Sequence, residues 1–160
     1  MSSRQRLWRI ATQGPSWRAD DLSGQGAAND PGRWNSLGLP VIYASTSIAL
    51  ACLETVVHVT GDQGLPLRRW LVAIDVPAKH WQQRLSLEPA QLPGWDASPA
   101  GRSSRSWGDR WLLRQASLIA LVPSVIVPEE SNVLINPAHP GTGSLVATVI
   151  RPWSYDSRLA

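Results

Sequence analysis

Between Arg33 and Asp62 the only Asp, Glu, Lys or Arg is Glu54. A stretch that poor in charge has to be taken out of water, so it constrains the fold more than any other part of the sequence. It divides into Val41–Ala44, short and apolar enough for a buried strand, and a segment from Ile48 to Val59 with helical periodicity. Ser45, Thr46 and Ser47 between them offer N-cap side chains for that helix. Ile48, Cys52, Val56 and Val59 share one face, which Leu50, Leu53 and Val57 widen. Glu54 then stands mid-helix, four residues after Leu50 and three before Val57. A carboxylate so placed is costly unless something pairs with it or uses it. The ordinary alternative is a solvent-facing glutamate, or one paired with a structural arginine.

The rest of the chain reads as short strands with few helices. Strands are expected at Arg6–Ala11, Trp70–Val76, Leu118–Val122, Val125–Val127, Asn132–Ile135 and Leu145–Ile150. A helix is expected over Trp111–Ala116, with Asp109 favouring its N-terminus. Ser23–Asn35, rich in glycine and polar residues, reads as loop, and the segment from Lys79 to Ser106 has no clear assignment. Helices and strands do not alternate regularly, so the fold class is α+β and not a doubly wound sheet. With 160 residues, 43% of them hydrophobic, the whole span 1–160 is expected to form one domain.

Other residues invite chemistry. Arg33 lies in Gly32-Arg33-Trp34-Asn35 at the end of the glycine-rich loop, where a guanidinium fork suits a phosphate or carboxylate. Trp34 offers the plainer role of anchoring that loop on the core. Tyr43 ends the apolar strand before the Glu54 helix, and its ring suits either a flat heterocycle or half-buried packing. Arg9 lies in an otherwise apolar strand, as an anion contact or a surface side chain. Ser124 at a strand end can donate to a phosphate or an amide, whereas Asn132 and Asn136 read as structural, stitching loops through backbone bonds.

Several classes drop out. The chain has no phosphate-binding P-loop and no G-x-G-x-x-G. His58, His80 and His139 are far apart in sequence and Cys52 is the only cysteine, so no metal site is expected and no internal disulfide is available. No apolar run is long enough to span a bilayer and the N-terminus lacks a signal-peptide core, which points to the cytoplasm. The net charge of +3 and pI near 9.7 suit an anionic ligand. The arginines are scattered, so direct nucleic-acid binding is disfavoured, although a non-catalytic RNA-binding module is a competing reading.

Taken in order, the segments Leu7-Trp8-Arg9-Ile10, Gly32-Arg33-Trp34-Asn35, Ile42-Tyr43-Ala44-Ser45, Ala49–Glu54, Gly108-Asp109-Arg110-Trp111, Val122-Pro123-Ser124 and Asn132–Pro137 resemble the RES domain, the toxin half of Xre–RES toxin–antitoxin pairs. The resemblance implies a split, mostly antiparallel sheet similar to diphtheria-toxin-like ADP-ribosyltransferases, with NAD⁺ as substrate in its cleft. It implies cleavage of the nicotinamide–ribose bond, by hydrolysis or phosphorolysis, with ADP-ribosylation of a protein as the alternative. It places the family's catalytic Arg–Tyr–Glu set on Arg33, Tyr43 and Glu54, and NAD⁺ contacts on Arg9, Arg33, Tyr43 and Ser124. It also implies neutralisation by an Xre-type helix-turn-helix antitoxin, and a homodimer is compatible with it.

Overall fold

Alternation along the first strand sets the architecture. In β1 (Gln5–Thr12) Leu7 and Ala11 point into the principal core, while Trp8 and Ile10 face the other side of the sheet. The computed structural model describes residues 3–57 and 68–159. The remaining strands are β2 (Ile42–Ser45), β3 (Arg69–Val76), β4 (Leu85–Ser86), β5 (Ile119–Pro123), β6 (Ser131–Ile135) and β7 (Val146–Trp153). They form one sheet in the order β4-β5-β6-β2-β1-β3-β7, antiparallel throughout except for β4 beside β5. The helices are α1 (Gln25–Asn29), α2 (Ile48–Val57), α3 (Ala78–Gln82) and α4 (Arg102–Arg114).

The sheet is pinched in the middle. β1 pairs with β3 along its whole length but meets β2 only at Trp8↔Ser45. The halves on either side of this junction diverge, which is the expected split. One face is covered by a continuous core that includes Leu7, Ile42, Val72, Ile74, Val133 and Ile135. The opposite face carries two separate clusters. Trp34, Val41, Trp111, Leu112, Val122 and Leu134 pack beneath α4, and Ile10, Ala51 and Leu71 pack beneath α2. A cleft lies between them, over the pinch.

The strand expectations hold within a residue or two except at β7, which runs on to Trp153, and at Val125–Val127, which is a bend. There the Ser124 Oγ accepts the backbone N–H groups of Ile126 and Val127, both at 3.1 Å, turning the chain instead of letting it pair. The Ile48 helix has Ser47 as its cap, whose Oγ accepts the Leu50 N–H at 3.1 Å. His58 and Val59, expected to complete it, lie outside the described residues.

Two helices differ from expectation. The Ser23–Asn35 stretch contains α1, entered through Gly24 at a φ of 73°. The helix expected from Trp111 instead begins at Arg102 and ends at Arg114. Asp109 therefore sits inside it and serves no cap. Its carboxylate accepts the Ser36 backbone N–H at 2.9 Å and the Ser36 hydroxyl, tying α4 to the Arg33 loop. The serines and arginines of the first two turns hide the helical period, because only one side of the helix is buried.

Candidate functional site

The pinch opens into a cavity of about 1340 Å³, lined by Arg9, Arg33, Tyr43, Glu54 and Asn132 among others. That exceeds the roughly 300–1,000 Å³ of a usual small-molecule pocket and leaves room for an extended ligand. Four residues singled out in the sequence thus meet in one place, from β1, the loop before β2, β2 itself and α2.

Glu54 projects from α2 and is half-buried. Its Oε1 accepts two hydrogen bonds, from the Ser124 hydroxyl at 2.7 Å and from Asn132 Nδ2 at 2.8 Å. The carboxylate is thus held by strand-end groups of β5 and β6 and is not a mobile surface glutamate. Ser124 itself is fully buried. Its hydroxyl proton goes to Glu54 and its oxygen receives two backbone N–H groups. It stands behind the carboxylate and holds it, which differs from the expected direct contact with a ligand.

Asn132 departs from its expected loop-stitching role. It pairs in register with both Ser45 and Val122, which brings it beside Glu54 on the cleft wall. Nothing short of the strand register reveals this, since the sequence separation from Glu54 is 78 residues. Asn136 does what was expected: Nδ2 donates to the Leu112 carbonyl at 2.9 Å, and Oδ1 accepts the Ala138 N–H.

The Arg33 loop is built around Asn35, a fully buried amide. Its Oδ1 accepts the Gly32 N–H at 2.8 Å and the Tyr43 hydroxyl at 2.7 Å, while Nδ2 donates to the Ala27 and Leu39 carbonyls. Trp34 is buried in the α4 cluster, so it anchors the loop, and its backbone N–H donates to the Tyr43 oxygen at 3.0 Å. Gly32 is required here, because a Cβ would lie 2.7 Å from the Tyr43 ring. Arg33 NH1 donates to the carbonyls of Trp95 (3.0 Å) and Ala97 (2.7 Å), which draws the otherwise unassigned 95–97 segment to the cleft. Burial lowers the Arg33 pKa, opposed by the charges of Glu54 and Asp96, and the group stays cationic.

Tyr43 is a neutral phenol. Burial pushes its pKa far above the ordinary value, and its hydroxyl is committed to Asn35 and Trp34. Tyr43→Phe should therefore cost about 1–3 kcal/mol of stability, because the Trp34 N–H loses its acceptor. Urea unfolding checks this, and an unchanged midpoint would contradict the hydrogen-bonded knot.

Arg9 is not a surface side chain. It lines the cleft at the pinch, burial pushes its pKa down, and Asp21 supplies the opposing negative charge. Its NH1 is buried without a hydrogen-bond partner. A buried cationic donor with nothing to donate to is costly, and an anion in the cleft would relieve it. Among the described residues no group of three or more His, Cys, Asp and Glu could hold a metal ion. His80 and His139, remote in sequence, do meet edge to face at 5.9 Å, away from the cleft lining. No described helix is long and apolar enough to cross a membrane.

Known proteins are similar to this chain in sequence and in fold. The chain is 53% identical to the Prs ADP-ribosylating toxin of Sphingobium sp. (strain YBL2) across 96% of its own length and 95% of the relative's. It is 39% identical to Toxin Res of Pseudomonas putida (strain KT2440), across 96% and 98% of the two chains. A chain in the crystal structure of the M. tuberculosis MbcT–MbcA toxin–antitoxin complex superimposes with a TM-score of 0.58 over 94% of this chain and 87% of that one. At 19% identity that likeness speaks for the fold alone. The RES domain matches residues 6–157, from the first strand through the last, and on this the chain belongs to the RES domain family.

Proposed function

We propose that this chain is a toxin enzyme that consumes NAD⁺ by cleaving its nicotinamide–ribose bond. The observation that carries the reading is Glu54, a carboxylate clamped on one oxygen by Ser124 and Asn132 in a cleft whose walls also present Arg9 and Arg33. The relatives named as toxins, one of them ADP-ribosylating, support the same reading.

The chemistry suits that set. Nicotinamide leaves as a neutral ring from a cationic precursor, so a general acid contributes little. The barrier lies in the positive charge that develops on the ribose, and a fixed carboxylate stabilises it. Glu54 supplies that charge and accepts a hydrogen bond from a ribose hydroxyl, with its position set in advance by Ser124 and Asn132. The unsatisfied Arg9 NH1 and the Arg33 guanidinium give the pyrophosphate its cationic contacts, which orient the ribose toward Glu54. The Tyr43 ring, held by its own hydroxyl, is a fixed aromatic wall for the nicotinamide.

Arg33→Lys is expected to raise the apparent Kd for NAD⁺ about tenfold or more, because an ammonium reproduces neither the guanidinium fork nor the tether to Trp95 and Ala97. Calorimetric titration in a catalytically silent background measures it, and an unchanged affinity removes Arg33 from the phosphate role.

Acceptors divide the reading. Water gives free ADP-ribose and phosphate gives a phosphorylated ADP-ribose. Transfer to a protein is the second reading, favoured by the name of the Sphingobium relative. A time course with pure protein, with and without phosphate, resolves the first two by product mass. Labelled NAD⁺ in a cell lysate tests the third, since only transfer leaves label on a protein band. A helix-turn-helix antitoxin is the proposed neutralising partner. Leu37, Val125 and Ile126 stand exposed at the lip of the cleft, apolar surface that a covering partner would bury.

A further inference from the structure

We infer that Asn132 and Ser45 form a relay that orients Glu54, making Asn132 a positioning residue for the reaction; this rests on the NAD⁺-cleaving reading above. The Ser45 side chain is buried, and its hydroxyl donates to Asn132 Oδ1 at 2.8 Å. The Glu54 carboxylate, which only accepts, sets the amide with Nδ2 toward Oε1, to which it donates at 2.8 Å, and the Ser45 hydroxyl holds the opposite end of the amide in place. Turned over, the same amide would set an oxygen against the carboxylate and repel it.

The relay sits at the one place where it can join both halves of the sheet. Ser45 is the residue of β2 that pairs with Trp8 of β1 and, on its other side, with Asn132 of β6. Ser124 closes the clamp from β5, fixed by the two backbone N–H groups of the bend. Glu54 Oε1 is thereby fully engaged by protein donors. Among the described residues no protein donor reaches Oε2, so that oxygen is available to a substrate hydroxyl. A helix-borne glutamate has three rotatable bonds, and two converging donors remove that freedom before any ligand arrives.

The test compares Asn132→Leu, Asn132→Asp and Ser45→Ala in NAD⁺ turnover, each alone and combined with Glu54→Gln. Asn132→Leu removes the donor, and kcat is expected to fall roughly tenfold to a hundredfold with KM changed less than about twofold. Asn132→Asp keeps the shape and the Ser45 bond while setting a carboxylate against Glu54, so it should lose at least as much. Ser45→Ala removes the anchor on Asn132 Oδ1, loosening the amide without reversing it, and should fall between these and wild type. In the Glu54→Gln background none of the three should lower residual turnover further, whereas damage to the fold at large would add to it. Wild-type kcat in Asn132→Leu and Asn132→Asp overturns the relay and leaves the NAD⁺ reading standing. Strictly additive losses with Glu54→Gln overturn it too. Absence of NAD⁺ turnover in the wild-type chain overturns both.

Discussion

Glu54→Gln should remain folded and lose NAD⁺ turnover by on the order of 10²–10³-fold or more, the size of effect seen when one preorganised electrostatic group is removed from a transition state. The substitution is nearly isosteric and keeps an oxygen able to accept from Ser124 and Asn132, so the clamp at 2.7 and 2.8 Å survives. What disappears is the negative charge facing the ribose. The loss should therefore appear in kcat, with affinity for NAD⁺ little changed. A variant that cleaves NAD⁺ at the wild-type rate would remove Glu54 from the chemistry, whatever its hydrogen bonds. A variant that binds poorly as well would mean that the carboxylate organises the cleft and does not act on the substrate alone.

The largest structural effect is expected at Gly108, outside the cleft. A Cβ there would lie 1.7 Å from the carbonyl oxygen of Trp34, which means that α4 and the Arg33 loop touch backbone to backbone. Neither side can yield cheaply. Trp34 is buried, its N–H is bonded to Tyr43, the Arg33 carbonyl accepts the Ser104 hydroxyl at 3.1 Å, and Ser36 is tied to Asp109. Gly108→Ala must lift the helix off the loop and open the Trp34 cluster. A cost of about 3 kcal/mol is expected, at the upper end for overpacking, or a fall in Tm of about 10 °C for a chain of this size. Gly26→Ala is the control: it lies in α1 with nothing within 4 Å of the added Cβ, so Tm should hold or rise slightly. Equal thermal stability of the two variants would contradict the close approach. Activity should fall with stability in Gly108→Ala, because the loop it displaces carries Arg33.

Legibility in the sequence followed the range over which each residue acts. The charge-poor stretch disclosed both Glu54 and its helix, since burial of an apolar face leaves a local period and Ser47 leaves a cap. Most strands were equally local, which is why their bounds agree with the structure within a residue or two, although β7 runs on to Trp153. Asp109 was misplaced because its partner, Ser36, lies 73 residues away, and a carboxylate near a helix start looks like a cap until that loop is in view. Val125–Val127 has strand composition, but the preceding Ser124 takes up the backbone donors that pairing would need. Asn132 was hidden for the same reason. Its contact with Glu54 depends on the β2–β6 and β5–β6 registers, and strand register is not written in any single segment. Arg33, Tyr43 and Glu54 do converge, yet the tasks of the surrounding groups differ from a list of ligand contacts: Ser124 and Asn35 hold the residues that face the cleft.

The central claim is tested most directly by incubating the pure wild-type chain with NAD⁺ and following nicotinamide release, beside Glu54→Gln at equal concentration. Wild type should release nicotinamide progressively, and the variant should release it slower by on the order of 10²–10³-fold. Intact NAD⁺ after incubation of folded wild-type protein, with phosphate present and with lysate proteins supplied as acceptors, would contradict it.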